Sequence, residues 1–387
     1  MDRRFVYNGA RKMSEVSMKY KALVLTLLLL LLLLGLLPVS AEEGVLSWRP
    51  FSYPIHTGAS WYPRMTQLTD GTLLCGFDAL ADGTEENRIF VTRSLDGGVH
   101  WDQAATVVQI PGYDCANANL MQLPNGDVLL ACRATGRGGN RDAALLCYVS
   151  RDGGRTFAYH SEIVRVQQPG GVWEPHLIMV DGRVAAFYAN DSHARMGGTG
   201  FQNIEMRLLD EDVNSWGEAR IVSNGNVTRS RDGMPVVDRL SDGRYVLVVE
   251  ANALPDYVMV IRMKISPDGL DWSAPLRTIC TPSTAGVGKK CAAPFVAVLP
   301  GDVLAVSYQT DDQASQNGDG VSVMQIVISR DLGLTWSEPF RPFVIPDGRC
   351  AAWNGLYWTG EHLFAMTGAN FPDAGIYLRM AEYTLPD

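Results

Sequence analysis

The chain has 387 residues, 47% of them apolar, and a formal net charge of −9. That is enough apolar material for a large core or a repeat array. No basic stretch and no low-complexity segment follows the leader, which excludes an obvious nucleic-acid binder and a disordered chain.

In chain order the first feature is a leader. Lys19 and Lys21 precede an apolar run from Ala22 to Leu37, and Val39-Ser40-Ala41 follows as a small-residue cleavage pattern. This reads as a secretory signal peptide over residues 1–41, with Met18 as an alternative start. The run falls short of the roughly 20 apolar residues a spanning helix needs. The expectation is a secreted domain over 42–387 with no stable membrane association after cleavage; a signal anchor is the alternative.

Two repeats then run in phase. The first is a hairpin turn centred on Gly71, Gly126, Gly182, Gly243, Gly301 and Gly360, spaced 55 to 61 residues apart. Asp-Gly or Asn-Gly between apolar runs is a strong hairpin signal. The second follows most copies of the first: Ser94-Leu-Asp96-Gly-Gly98-Val-His-Trp101, Ser150-Arg-Asp152-Gly-Gly154-Arg-Thr-Phe157, Ser329-Arg-Asp331-Leu-Gly333-Leu-Thr-Trp336 and the shorter Ser266-Pro-Asp268-Gly-Leu-Asp-Trp272. Here Asp caps a tight turn, Gly takes the positive φ and the aromatic pins the turn to the sheet. Each period holds four strands. The prediction is an all-β, six-bladed propeller of four-stranded antiparallel blades. The sixth period lacks a fourth strand, so the N-terminal strand around Trp48 is expected to complete it and close the ring.

Seven cysteines are scattered without metal-ligand spacing. Cys280 with Cys291 is the first candidate disulfide and Cys132 with Cys147, across a hairpin, the second; the alternative for most of the seven is a buried strand cysteine with no bond. No cofactor and no metal is demanded; Asp114, Asn117 and Asn119 are the candidate oxygen ligands for a structural cation.

The hairpin glycine serves as a ruler for the site. Seven residues after it stand Asp78, Arg133, Ala189, Glu250, Tyr308 and Thr367; seven or eight before it stand Arg64, Asn119, Glu174 and Trp353. Residues at one offset should share a direction, which places this set at one mouth of the central channel. Glu174, in Trp173-Glu174-Pro175-His176, and Glu250, at the end of an apolar strand, then face one opening from adjacent blades. Paired carboxylates suit glycoside hydrolysis. Structural ion pairing, such as Asp78 with Arg133 or Arg64 with a glutamate, is the alternative.

The Ser-x-Asp-x-Gly-x-x-Trp turns resemble the Asp-boxes (BNR repeats) of the sialidase superfamily. Within it the chain is similar to the exo-arabinanases of glycoside hydrolase family 93, through Tyr62-Pro63-Arg64, Trp173-Glu174-Pro175 and the second glutamate, Glu250. That resemblance implies a retaining exo-glycosidase releasing arabinobiose from α-1,5-arabinan. Glu174 and Glu250 would be nucleophile and acid/base, in that order or the reverse. The substrate-binding set would be Arg64, Asp78, Arg133, Trp173, His176, Asp232, Tyr308, Trp353, Asn354 and Tyr357. A sialidase alignment would instead make Tyr357 the nucleophile, Glu250 its partner and Asp78 or Asp82 the acid. It also asks for an arginine triad, to which Arg64 and Arg231 or Arg262 would contribute. A non-catalytic glycan-binding propeller is the third reading.

Overall fold

The computed structural model describes residues 45–80, 86–195, 200–210, 212 and 214–385. The signal-peptide segment and Asp82 lie outside them. Six antiparallel sheets follow one another along the chain. In blade 3, for example, Val172–Val180 lies innermost, followed by Arg183–Asn190, Asn203–Asp210 and Arg220–Ser223. Blade 5 has three full strands, and its fourth is reduced to the pairing of Ile326 with Phe340. The ring closes as expected: Leu46–Thr57 pairs antiparallel with Gly375–Tyr383 and forms the outer strand of blade 6.

The core lies between blades. Leu68 and Leu74 of blade 1 pack with Leu120, Leu130 and Leu146 of blade 2, and the same arrangement repeats around the ring. The Asp turns are built as the sequence suggests. Gly98, Gly154 and Gly333 N–H each donate to the serine hydroxyl that opens the turn, and Asp152 accepts from Thr156 N at 2.9 Å.

All seven cysteines are buried and free, so neither expected disulfide forms. Register explains one pair: Cys147 stands opposite Ala131 and Cys132 opposite Leu146, which sends the two thiols to opposite faces of blade 2. Cys291 instead turns its thiol toward Thr310 of its own blade.

One irregularity recurs in every blade. Each innermost strand carries a β-bulge in which two residues face one on the neighbouring strand. The first residue of each bulge is left-handed: Tyr62, Asn117, Glu174, Met234, Ala293 and Trp353, with φ from 48° to 60°. The second is proline in four blades, Pro63, Pro175, Pro235 and Pro294. A bulge on an edge strand is one of the few places in a sheet that proline fits. Pro175 therefore marks a built kink, and the kink turns Glu174 toward the axis.

Candidate functional site

The six bulge residues form a ring around the channel. Tyr62, Met234 and Ala293 meet in one apolar cluster, with Trp61 and Trp353 packed against it. The next layer outward comes from the ends of the second strands: Asp78, Arg133, Ala189, Glu250, Gln309 and Gly368. These residues tie the blades together. Asn117 N donates to Asp78 Oδ1 at 3.1 Å, Ala293 N to Glu250 Oε2 at 2.9 Å, and Trp353 N to Gln309 Oε1 at 2.7 Å. Each tie runs from one blade to the bulge of the next.

The glycine ruler placed some residues correctly on this frame and displaced others. In blades 5 and 6 one more residue separates the glycine from the second strand's mouth position, so Gln309 and Gly368 take the places assigned to Tyr308 and Thr367. A one-residue slip reverses a side chain. Tyr308 accordingly points into the inter-blade core, where its hydroxyl donates to Gln325 Oε1 at 2.8 Å. On the inner strands the ruler merged two rings. Glu174 and Trp353 are bulge residues, whereas Arg64 and Asn119 follow the bulge, in register with His176.

Glu174 and Glu250 come from adjacent blades and have unlike surroundings. Glu250 is buried, its Oε1 lies 3.2 Å from Arg231 Nη1, and its Oε2 accepts from Ala293 N. A guanidinium and a backbone N–H both favour the ionised carboxylate. Glu174 is half-buried, and its Oε2 has no partner although water cannot reach it. Burial, followed by the negative charge of Glu250, pushes its carboxyl up to about 7, against the opposing pull of Arg231 and Arg133. Glu250 is thus engaged on both oxygens, whereas Glu174 is poised to carry a proton.

The remaining candidates divide. Asp78 stays at the mouth, where burial raises its carboxyl to about 7. Arg133 pairs with Asp114 at 3.4 Å, not hydrogen-bonded to Asp78, and its guanidinium lies 4.9 Å from the Trp173 ring. Trp173 and Trp353 are partly exposed; Trp173 precedes Glu174 on its strand, and Trp353 packs against the Tyr62, Met234 and Ala293 cluster. Asp232 is fully buried behind the mouth and accepts from the Ser223 and Thr228 hydroxyls. Asn354, the second residue of its bulge, is also fully buried, and its carbonyl accepts from Arg64 at 2.8 Å.

His176, Arg64 and Tyr357 belong to the channel beyond the bulge ring. His176 bonds the Val237 carbonyl at 2.8 Å, and burial lowers its ring to about 4. Tyr357 lies four residues past Trp353 on the same strand, and its hydroxyl accepts from Gln67 N at 2.8 Å. The candidate cation ligands also separate: Asp114 serves Arg133 and Arg137, while Asn119 serves Leu177 N and His176. Among the described residues no group of acidic, histidine or cysteine side chains has metal-site geometry.

The ruler missed Tyr62, Gln309 and the Arg231–Glu250 pair. The proline recurring after the bulge residue was the available signal for the ring. Nothing local marked Arg231, because its strand begins only one residue later.

No family model and no curated protein matches the sequence. The fold, in contrast, is widely shared. The family 93 α-L-arabinofuranosidase of Fusarium graminearum, solved with arabinobiose, superposes with a TM-score of 0.69 at 17% identity, covering 86% of this chain and 97% of that one. The chain has the six-bladed fold of these arabinose-processing enzymes. The α-L-arabinanase of Penicillium chrysogenum, also solved with arabinobiose, gives 0.67 at 21% identity over 86% and 97%. A Hadza microbial sialidase gives 0.60 at 13% identity over 86% of this chain and 69% of its own. The propeller architecture common to arabinanases and sialidases is therefore the architecture of this protein.

Proposed function

We propose that the protein is a secreted, retaining exo-glycoside hydrolase acting on an arabinan-type glycan, with Glu250 as nucleophile and Glu174 as general acid/base. The unlike environment of the two carboxylates carries this reading. Glu174 would protonate the leaving glycosidic oxygen while the Glu250 carboxylate attacks the anomeric carbon, giving a glycosyl ester. The Glu174 carboxylate would then take a proton from the water that attacks the same carbon, freeing the sugar and regenerating Glu250. The partly exposed Trp173 and Trp353 offer aromatic surface against which a sugar ring could pack. This assigns the pair in the reverse of the order first named for the resemblance.

The structural alternative for Glu250 is a tie between blades. Blade 5 makes the same tie with the neutral Gln309. The tie does not need a carboxyl group, yet Glu250 supplies one and sets it against Arg231. A chemical role accounts for that excess.

The sialidase reading fits less well. Arg64 is bonded to backbone carbonyls below the ring, Arg133 serves Asp114, Arg231 serves Glu250 and Arg262 reaches the Leu276 carbonyl. They do not converge as a free triad, and the Tyr357 hydroxyl lies on the other side of the ring. Incubation with linear α-1,5-arabinan beside a fluorogenic sialoside separates the readings. Release of a short arabinose oligomer with the sialoside untouched is expected. Sialoside cleavage alone, or glycan binding without hydrolysis, would refute the proposal.

A further inference from the structure

Trp353 is a bulky residue in left-handed backbone, with φ 58°. Such a conformation persists where its surroundings hold it. Its N–H is held by Gln309 Oε1 at 2.7 Å. In blades 1 and 4 the matching tie is made by a carboxyl group, Asp78 or Glu250, either oxygen of which can accept. A carboxamide accepts at one end and donates at the other, so the tie from Gln309 forms only one way round. Asp319 fixes the donor end: its Oδ1 accepts from Gln309 Nε2 at 2.7 Å. The same oxygen accepts from Lys290 Nζ, and the Lys290 side chain is only 14% exposed. A polar line thus runs from Lys290 through Asp319 and Gln309 to Trp353, out of blade 5 and into blade 6.

Lys290 occupies a repeated position. It stands three residues before its bulge residue, Ala293, as Arg231 stands three before Met234, and each makes an isolated parallel bridge, Lys290 with Met259 and Arg231 with Gln202. In blade 4 that cation meets the tie residue directly; in blade 5 it meets it through Asp319. The loop that carries Asp319 is pinned as well. Asp311 accepts from Lys290 N at 3.0 Å and from Gly318 N at 2.7 Å, and Lys289 Nζ donates to the carbonyls of Ala314 and Gln316 at 2.8 and 2.7 Å. We propose that Asp319, held by Lys290, is a positioning residue for substrate binding: it orients the Gln309 amide so that Trp353 stays presented to the sugar. The inference rests on the proposed packing of a sugar against Trp353. Without Asp319 the amide can turn its donor end toward Trp353 N, where two donors face each other and the tie is lost.

Kinetics on linear α-1,5-arabinan give the first test. Asp319→Ala should raise KM about tenfold and leave kcat within about twofold of wild type, the mark of lost binding that substrate and transition state share. Asp319→Asn, whose side-chain oxygen still accepts from Gln309, should recover most of the loss. In a Trp353→Ala background Asp319→Ala should change KM no further, because the two act through one contact. A KM unchanged in Asp319→Ala, or raised equally in both backgrounds, would overturn the proposal. The second test needs no glycan. In the full chain labelled with 5-fluorotryptophan, the fluorine resonance lost in Trp353→Phe should shift or broaden in Asp319→Ala and return in Asp319→Asn. An unmoved Trp353 line, or equal movement of the other tryptophan lines, would overturn it too. Should the wild type leave arabinan intact, the hydrolase reading fails, and the fluorine spectrum alone decides whether Asp319 places Trp353.

Discussion

At the residue scale the chemistry falls to Glu174 and Glu250. Glu250→Gln should fold, because Gln309 makes the same inter-blade tie in the next blade, yet lose activity by about 10³-fold or more, as expected when a nucleophile is removed. Loss of folded protein would instead return Glu250 to a structural role. Glu174→Gln should lose turnover on arabinan but keep a measurable rate on an aryl arabinobioside, whose leaving group needs no proton. Activity should fall as pH rises through about 7, where Glu174 gives up its proton. Stability carries the same signature. A carboxyl whose folded pKa is raised binds its proton longer in the folded than in the unfolded chain. Its cost is absent below the ordinary value of 4.5 and grows as pH rises toward about 7. Glu174→Gln should therefore raise the melting temperature by about 1–3 °C at pH 8 and leave it unchanged near pH 4. Scanning calorimetry at the two pH values decides.

At the element scale much was legible because turn chemistry is local. The Asp turns and hairpin glycines fix their own geometry, so six periods and four strands per period could be read directly. Bulges and hairpin lengths were harder. They shift register by one residue without changing composition, which is how Tyr308 changed faces and Arg64 changed rings. The Asp turns also give a sharp test. A Cβ on Gly153 would meet nothing closer than 3.7 Å, whereas one on Gly154 would come within 2.5 Å of Leu74 Cδ1 in the neighbouring blade. Both glycines have positive φ. Gly153→Ala should cost about 1 kcal/mol from backbone strain alone, and Gly154→Ala about 2–4 kcal/mol with overpacking added. Urea denaturation should separate them in that order; equal costs would show that the turn does not dock against blade 1 as described.

At the scale of the whole molecule the ring depends on its ends meeting. Leu46–Thr57 covers the edge of Gly375–Tyr383, Arg379 Nε donates to the Arg49 carbonyl at 2.8 Å, and Thr384 N to the Val45 carbonyl at 2.9 Å. A chain beginning after Thr57 would expose that edge and open the apolar cluster shared by Leu46, Leu299 and Phe343. It should give no monodisperse folded species by size exclusion; a truncated chain with the parent's melting curve would contradict the closure argument. Closure also explains why paired carboxylates at one mouth were foreseeable while Arg231 was not. The repeat carries second-strand positions around the ring, but only the assembled ring shows which neighbour reaches them. In the proposed reaction Glu250 forms the covalent bond and Glu174 moves the proton. Peptide mapping by mass spectrometry of Glu174→Gln, quenched during turnover of an aryl arabinobioside, tests it most directly. A glycosyl adduct on the peptide bearing Glu250 is expected; an adduct elsewhere, or turnover with none, would refute this division of roles.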